Sequence, residues 1–235
     1  MSTKSDKIEA DIDEIFDTAW NTRDGTVVPE TKNINLSDGG VYVDATYIYA
    51  DMADSTGLAQ KATQKQTGKI IRAYLNAASR LFKDNGGHIR GFDGDRVMAI
   101  FIGDVKNTNS TKAALQINWA VTKVIAPTLK TKYPDLGWTL KHRVGIDTGK
   151  AMLVRGGVRG SNDIVSVGAA PNVAAKLSAV KKGSSTYITD AVYKRLMDSS
   201  KYGGTEKKNM WSDAGNVEFG GVKVEIWSSN WTWTP

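Results

Sequence analysis

The sequence predicts an α/β (α+β) fold, in which helices pack on an antiparallel-rich sheet. The run Val41–Ala50 is rich in β-branched and aromatic residues, which favours a strand. Two further apolar runs, 88–92 and 96–103, are joined through Asp-Gly-Asp, which predicts a hairpin. Segments with helical spacing precede and follow this hairpin, so the order is strand, helix, hairpin, helix, strand. This order is typical of ferredoxin-like folds.

A length of 235 residues allows one large domain or one domain with extensions. A hydrophobic content of 40% is enough for a sizeable core. The absence of cysteine excludes disulfides and thiolate chemistry and suits a cytoplasmic protein. Two histidines leave little scope for a histidine-based site. No apolar run approaches the ~18 residues of a membrane span, and the charged start is unlike a secretory signal, so we expect no membrane insertion. The net charge of +6 suits anionic partners such as nucleotides, although solubility alone also explains it.

Apolar residues near the start recur at helical spacing and predict a short amphipathic helix. They are Ile8, Ile12, Ile15, Phe16 and Trp20. We expect this helix to pack on the domain or on a second subunit. The polar stretch that follows is interpreted as a linker, so residues 1–40 are predicted to be a helix and linker, and residues 41–235 the main domain.

The pattern after Val41 predicts the remaining elements. A long helix is expected over about 57–83, with a buried face formed by Ile71, Tyr74, Leu75, Ala78 and Leu81. A second helix is expected over about 110–133, with a kink or break at Pro127. The rest is predicted as strands at 140–147, 150–157 and 161–168, a turn at Thr148-Gly149, a helix opened by Pro171 and a series of short strands.

Acidic residues stand at two predicted strand ends. Asp51 ends the first strand, and Asp95 lies in the hairpin turn. If these strands are neighbours, both carboxylates project from one edge and suit Mg²⁺ or Mn²⁺. Two ions ~3.5–4 Å apart could activate an attacking oxygen and stabilise a leaving one. The residues Asp54, Ser55 and Thr56 open a helix whose free N–H groups suit phosphate. Taken singly, turn formation and helix capping explain the same residues.

Four motifs occur in one order: YADMADST, GFDGDRVMAIF, VGIDTGK and SVGAAPNVAAKL. Together they resemble the class III nucleotidyl cyclases, over about Val41–Trp227. The resemblance implies a head-to-tail homodimer that acts on a nucleoside triphosphate, with its sites at the interface. It also implies that Asp51 and Asp95 hold two divalent cations, Mn²⁺ or Mg²⁺, together with the backbone carbonyl of Met52.

The same resemblance assigns roles to residues that act on the substrate. Asn172 and Lys176 match an Asn that positions the ribose and a basic residue that stabilises transition-state charge across the interface. The family usually has Arg at the second position, and lysine keeps the charge but loses the fork geometry. Lys150 is a candidate for the triphosphate. Read without the resemblance, both lysines suit an exposed surface and Asn172 suits a helix cap.

Two positions bear on the base. Gly91 and Val165 stand where adenylate and guanylate cyclases of this class carry purine-reading side chains, so the usual discrimination between ATP and GTP is not expected. Tyr49, Arg90 and Phe92 are candidates to close the pocket around a smaller base. Longer stretches of the second and fourth motifs resemble the pyrimidine cyclases of bacterial anti-phage signalling (Pycsar). This implies conversion of UTP, less favourably CTP, to a cyclic monophosphate that a separate effector protein detects.

Other readings stay open. The chain could be an adenylate or guanylate cyclase with unusual base contacts, or an inactive cyclase-like domain that only binds. Retention of Asp51, Asp95 and Asn172 together argues against the inactive form. An RNA-binding module fits less well, because Arg-Gly-Phe at 90–92 continues with acidic residues, so we expect no nucleic-acid partner. The tryptophans near the C-terminus favour an edge strand that packs on the core over a base-stacking surface. They are Trp211, Trp227, Trp231 and Trp233.

Overall fold

A computed structural model describes residues 3–235. The helices are α1 (Lys4–Asp17), α2 (Ser55–Lys61), α3 (Gln64–Asp84), α4 (Lys106–Trp119), α5 (Ala126–Lys132), α6 (Ala169–Leu177), α7 (Asp190–Tyr193) and α8 (Asp198–Lys201). The strands are β1 (Asn21–Asp24), β2 (Gly39–Ala53), β3 (His88–Asp93), β4 (Arg96–Phe101), β5 (Lys141–Val158), β6 (Ser161–Val167), β7 (Thr186–Thr189), β8 (Tyr202–Gly203), β9 (Lys208–Asn209), β10 (Ser212–Phe219) and β11 (Val222–Ser229).

The chain divides into two compact units. The smaller unit contains the residues up to Asp44 and Lys150–Gly168. In it, β1 pairs in parallel with the start of β2, and β6 pairs antiparallel with the end of β5. Helix α1 also belongs to this unit, and none of its residues is buried in the described chain. The predicted domain boundary after Gly40 stays a prediction, and β2 runs through this residue without interruption.

The larger unit contains Ala45–Gly149 and Ala169–Pro235. Its sheet has the strand order β10-β11-β7-β5-β2-β4-β3, in which antiparallel pairs predominate and β5 pairs with β7 in parallel. Alternate residues of β2 and β4, such as Ile48 and Val97, pack against buried faces of α3 and α4. The predicted α+β architecture is therefore confirmed, and the central strands are held by helices on the core.

The long helix predicted over 57–83 is two helices, which corrects that expectation. The chain leaves helical geometry at Ala62, and Thr63 caps the second helix. Thr63 Oγ1 accepts from the Gln66 backbone N–H at 3.3 Å, and Gln66 Oε1 accepts from the Thr63 N–H at 2.9 Å. This is a capping box, and the Thr-x-x-Gln spacing is visible in the sequence. The buried face of α3 contains Ile70, Tyr74, Ala78, Leu81 and Phe82, while the predicted Ile71 and Leu75 are partly buried.

The predicted turn at Thr148-Gly149 is wrong, because β5 continues unbroken through it. Within the larger unit, Thr148 Oγ1 donates to the Ala45 carbonyl at 3.2 Å, which keeps this part of the strand beside β2. The linker expected over 21–40 contains β1 and a short 3-10 helix at Thr31–Asn33. The helix that Pro171 was expected to open begins at Ala169.

The predicted break near Pro127 is confirmed. The helix begins earlier than expected, at Lys106, and changes to π-helical geometry over Ala120–Ile125 before α5. Proline has no N–H to donate to the carbonyl four residues earlier, so regular hydrogen bonding fails there. Near the C-terminus, Trp211 is buried and donates to the Ser200 carbonyl at 2.8 Å, and Trp231 and Trp233 pack on the core. These tryptophans therefore serve packing, as expected, but the edge-strand assignment is wrong. Trp211, Trp231 and Trp233 lie outside the strands, and Trp227 lies on β11, which pairs with a strand on each side. No helix in the described range is long and apolar enough to cross a membrane.

Candidate active site

The acidic edge of the larger unit is formed by β2 and the hairpin β3–β4. A two-residue turn, Gly94-Asp95, connects the hairpin strands, and Gly94 adopts a φ of +59° that suits glycine at the first turn position. In the antiparallel register, Asp51 of β2 lies opposite Arg96, the residue that follows Asp95. Sequence reasoning therefore anticipated this juxtaposition correctly, since both carboxylates reach the same sheet edge.

Electrostatics at this edge favour a bound cation. Burial, and after it the neighbouring charge of Asp95, raises the pKa of Asp51 to about 6, against opposing effects of Arg96 and Arg143. Asp95 Oδ2 is buried and has no hydrogen-bond partner among residues 3–235. A buried carboxylate oxygen without a partner is costly, and a hard cation is the ligand that would satisfy it. The two carboxylates thus fit a divalent metal.

Any further metal ligand must be a group other than a carboxylate or imidazole side chain. Within the described range, no three His, Cys, Asp or Glu side chains cluster closely enough to hold a metal by themselves. The Met52 side chain is buried in the hydrophobic core. Its side chain therefore fixes the strand beside Asp51, and its backbone carbonyl is the candidate ligand.

A buried polar layer that the sequence analysis did not identify neighbours these carboxylates. The Tyr74 hydroxyl of α3 is buried without a hydrogen-bond partner in the described chain, and burial followed by the charges of Asp51 and Asp95 raises its pKa. Its ring meets His142 edge to face at 6.0 Å. Burial lowers the pKa of His142 to about 3, so the imidazole is neutral, and its Nε2 lies 3.1 Å from Asn118 Oδ1. Helical spacing predicted Tyr74 to be in the core, and its hydroxyl was the missed signal.

The predicted phosphate segment follows the acidic edge. Asp54 adopts a left-handed φ of 61° and precedes α2, which begins at Ser55. The Asp54 side chain makes no capping hydrogen bond, while its carbonyl accepts from Trp138 Nε1 at 3.1 Å. A Cβ at Gly57 would meet the Asp54 carboxylate, so glycine leaves room for that group. Thr56 is exposed at the same helix start.

Asn172 and Lys176 lie one turn apart on α6 and line a cavity of about 550 Å³. Lys176 Nζ stands 5.5 Å from the centroid of the Phe219 ring. The described residues that line the cavity do not include Asp51 or Asp95. The structure therefore brings the two predicted catalytic residues together, and in a cavity apart from the acidic pair.

Asp147 is a member of this cavity that sequence reasoning did not assign. Its carboxylate is buried and accepts from Thr189 Oγ1 at 2.6 Å. Burial raises its pKa, against the Thr189 hydrogen bond and other opposing effects. Asp147 lies in the VGIDTGK motif, but the sequence analysis assigned a role there only to Lys150, which follows the predicted turn at Thr148-Gly149.

Four of the predicted base-pocket residues lie on β2 and β3 of the larger unit. Tyr49 is half-buried, and the guanidinium of Arg96 stands 5.7 Å from its ring centroid. Arg90 occupies an irregularity between Ile89 and Gly91 in the pairing of β3 with β4. No atom lies within 4 Å of the place where a Gly91 side chain would begin, and Phe92 is exposed. Arg96 was missed, although strand alternation places it beside the acidic turn.

The remaining two candidates belong to the smaller unit. Lys150 makes an ion pair with Asp24 at 2.7 Å, and its Nζ stands 5.0 Å from the centroid of the Tyr42 ring. Both side chains of the ion pair are well exposed, so the contact is weak and exchangeable. Val165 of β6 is also exposed and lies opposite Val154 of β5.

Comparisons with known proteins agree with the fold and the motifs. No protein-family model matches the chain. A uridylate cyclase of Rhodovulum sp. (strain MB263) is 41% identical over 211 residues, which is 88% of each chain. A uridylate cyclase of Xanthomonas perforans is 38% identical over 221 residues, which is 94% of each chain. Among solved structures, a bacterial light-regulated adenylyl cyclase matches with a TM-score of 0.71 at 19% identity, covering 85% of this chain and 54% of that chain.

The similarity to the two uridylate cyclases extends over nearly the whole chain, whereas the adenylyl cyclase structure, at 19% identity, supports the fold alone. The resemblance carried by the four motifs is thereby confirmed. The chain belongs to the uridylate cyclase family.

Proposed function

We propose that the protein converts UTP to 3′,5′-cyclic UMP and pyrophosphate at the interface of a homodimer. CTP is the less favoured substrate. The observation that carries this proposal is the Asp51–Asp95 pair at the end of β2. Their like charges and the buried Asp95 Oδ2, which has no hydrogen-bond partner in the described chain, favour a bound cation. In the reaction, the ribose 3′ oxygen forms a bond to the α-phosphorus, and the bond from that phosphorus to the leaving pyrophosphate breaks.

Asp51, Asp95 and the Met52 carbonyl would hold two divalent cations, Mn²⁺ or Mg²⁺. When bound, the cations would favour ionisation of the 3′ hydroxyl and neutralise charge on the triphosphate. The chain's contribution at this edge is to hold two carboxylates in register on adjacent strands, with Arg96 beside them. This pre-set geometry avoids reorganisation during the reaction.

Asn172 and Lys176 would come from the partner subunit. Support for this arrangement is that the cavity lined by both residues excludes the acidic pair of its own chain. The Asn172 amide would orient the ribose, and the Lys176 ammonium would neutralise charge that develops on the transferring phosphoryl group. Asp147, fixed by Thr189, lies in the same cavity. The triphosphate would contact Lys150 and the segment Asp54, Ser55 and Thr56.

The base would lie against Tyr49, Arg90 and Phe92. Gly91 and Val165 offer no side-chain hydrogen bond to a purine edge, and an aromatic ring backed by Arg96 suits a small planar base. Similarity to two uridylate cyclases favours UTP over CTP. The product would act as a second messenger in anti-phage defence, where a separate effector protein detects it.

The test is one incubation of the purified protein with ATP, GTP, CTP and UTP together and Mn²⁺, with products identified by mass. Cyclic UMP is expected, and it should disappear in Asp51→Asn but persist in the exposed control Asp135→Asn. Cyclic AMP or cyclic GMP as the main product would contradict the pyrimidine assignment. No cyclic product from any nucleotide would instead support a cyclase-like binding domain.

A further inference from the structure

Helix α1 presents an apolar face that nothing in the described chain covers. Ile8, Ile12, Ile15 and Phe16 are 59%, 46%, 58% and 82% exposed. Their spacing of four, three and one residues places them on one side of the helix. Scattered exposed apolar residues are ordinary, but a continuous stripe of isoleucines on an otherwise charged helix is typical of a contact surface.

The helix is poorly stabilised by itself. Its N-terminus has a capping box, in which Thr3 Oγ1 accepts from the Asp6 N–H at 3.1 Å and Asp6 Oδ2 accepts from the Thr3 N–H at 2.8 Å. Isolated helices shorter than ~12–15 residues are marginal in water, and α1 has 14 residues without a buried side chain. A partner is therefore needed to keep α1 helical.

The charges of α1 are separated along its length. Lys4 and Lys7 lie in the first turns, with the capping residue Asp6 between them, whereas Glu9, Asp11, Asp13, Glu14 and Asp17 follow. Positive charge at a helix N-terminus and negative charge at a C-terminus both oppose the helix dipole. An antiparallel neighbour with the same sequence reverses this situation, because its acidic end lies beside the lysines and its lysines lie beside the acidic end.

We infer that α1 pairs antiparallel with α1 of a second copy of this chain, with the two apolar stripes in contact near Ile12. A parallel pair would place acid beside acid along most of the helix. An anionic membrane surface fits no better, since six carboxylates against two lysines repel it. This contact does not rest on the proposed function.

The natural chain has no cysteine, so single cysteines report the orientation directly. In the antiparallel pair, position 8 of one helix lies near position 15 of the other, whereas in a parallel pair position 8 lies near position 8. Positions 8 and 15 are about 10 Å apart along a helix, and a disulfide needs Cα atoms within about 7 Å, so cross-linking distinguishes the two arrangements. Chains carrying Ile8→Cys and Ile15→Cys should cross-link to each other on mild oxidation when mixed, and neither should cross-link alone. Ala10→Cys, exposed on the opposite face of α1, is the matched control and should not cross-link. Cross-linking of Ile8→Cys with itself would overturn the antiparallel arrangement, and equal cross-linking at Ala10, or none at any position, would overturn the pairing.

A charge reversal separates pairing from simple helix stability. Lys4→Glu with Lys7→Glu improves the match to the dipole of an isolated helix, yet it should abolish cross-linking between positions 8 and 15. Adding Glu14→Lys and Asp17→Lys to the same chain should restore it. Cross-linking that survives the first change contradicts the electrostatic basis of the contact. Cyclase activity measured on the same variants distinguishes loss of this contact from failure of the proposed function.

Discussion

The acidic edge and the α6 cavity belong to the same compact unit, but their electrostatics differ. At the acidic edge, Asp51 and Asp95 raise the cost of each other's charge, and an oxygen of Asp95 is left without a partner. In the α6 cavity, Lys176 stands beside an aromatic ring, and the buried Asp147 is already satisfied by Thr189. One region needs positive charge to be complete, and the other offers a cation and an amide. The two regions therefore complement each other in charge, as the proposed shared site requires.

The largest effect should follow from altering the acidic edge. Asp95→Asn or Asp51→Asn removes a charged oxygen from the proposed cation site, and cyclic nucleotide formation should fall by more than the ~10–100-fold typical of residues that only support a ligand. Removing one of two repelling charges should also raise the melting temperature of the metal-free protein. Turnover near that of Asp135→Asn would exclude a metal role for the pair. A melting temperature lowered by several degrees would point to a structural role instead.

The cavity should be affected next. Lys176→Ala should lower kcat by about 10²–10³-fold, as expected when one charge-stabilising donor is removed, with a small change in KM. Lys176→Arg should retain most of the activity, because arginine keeps the charge and presents its N–H donors in a planar fork. The affinity for Mn²⁺, measured by calorimetry, should not change in either variant. A change in KM alone would assign Lys176 to substrate binding rather than to the transition state.

Substitutions in the proposed base pocket should change the selectivity for UTP over ATP more than the rate. Tyr49→Ala removes the ring beside Arg96, and the preference for UTP over ATP should fall by roughly 10–200-fold, the range for a contact in a largely apolar pocket. The measurement is kcat/KM for both nucleotides. Tyr42→Ala is the aromatic control in the smaller unit. An unchanged ratio in Tyr49→Ala would place the base elsewhere.

The smallest effect concerns pH and stability. A carboxyl group whose pKa is raised to about 6 in the folded protein binds its proton more tightly than in the unfolded chain. Stability is therefore favoured at low pH, and it is lost as pH rises from about 4 through 6. Without divalent cations, the melting temperature should fall over this window, and Asp51→Asn should flatten the profile. A profile identical in both proteins would mean that Asp51 titrates normally.

Sequence patterns predicted the parts of this structure that depend on local chemistry. The strand before Asp51 and the Asp-Gly-Asp hairpin follow from residue type and turn preference, and adjacency of their ends follows from the fold order. The break at Ala62 was missed because apolar spacing continues across it, although the Thr63–Gln66 pair marked a cap. The unbroken β5 was missed because glycine suggested a turn, whereas strand pairing decided the outcome. The neighbours of a buried group, such as Tyr74 beside the carboxylates, depend on long-range packing that spacing does not contain.

We propose that the acidic edge of one chain works with the α6 cavity of another. Mixing two inactive variants tests it most directly: Asp51→Asn, which alters only the acidic edge, and Asn172→Ala, which alters only the cavity. In a mixed dimer, one of the two active sites receives both changes and the other receives neither, so cyclic UMP formation should recover to a substantial fraction of the wild-type rate. If the mixture stays as inactive as its components while mixed dimers are present, both sets of residues act within one chain and the account of a shared site is wrong.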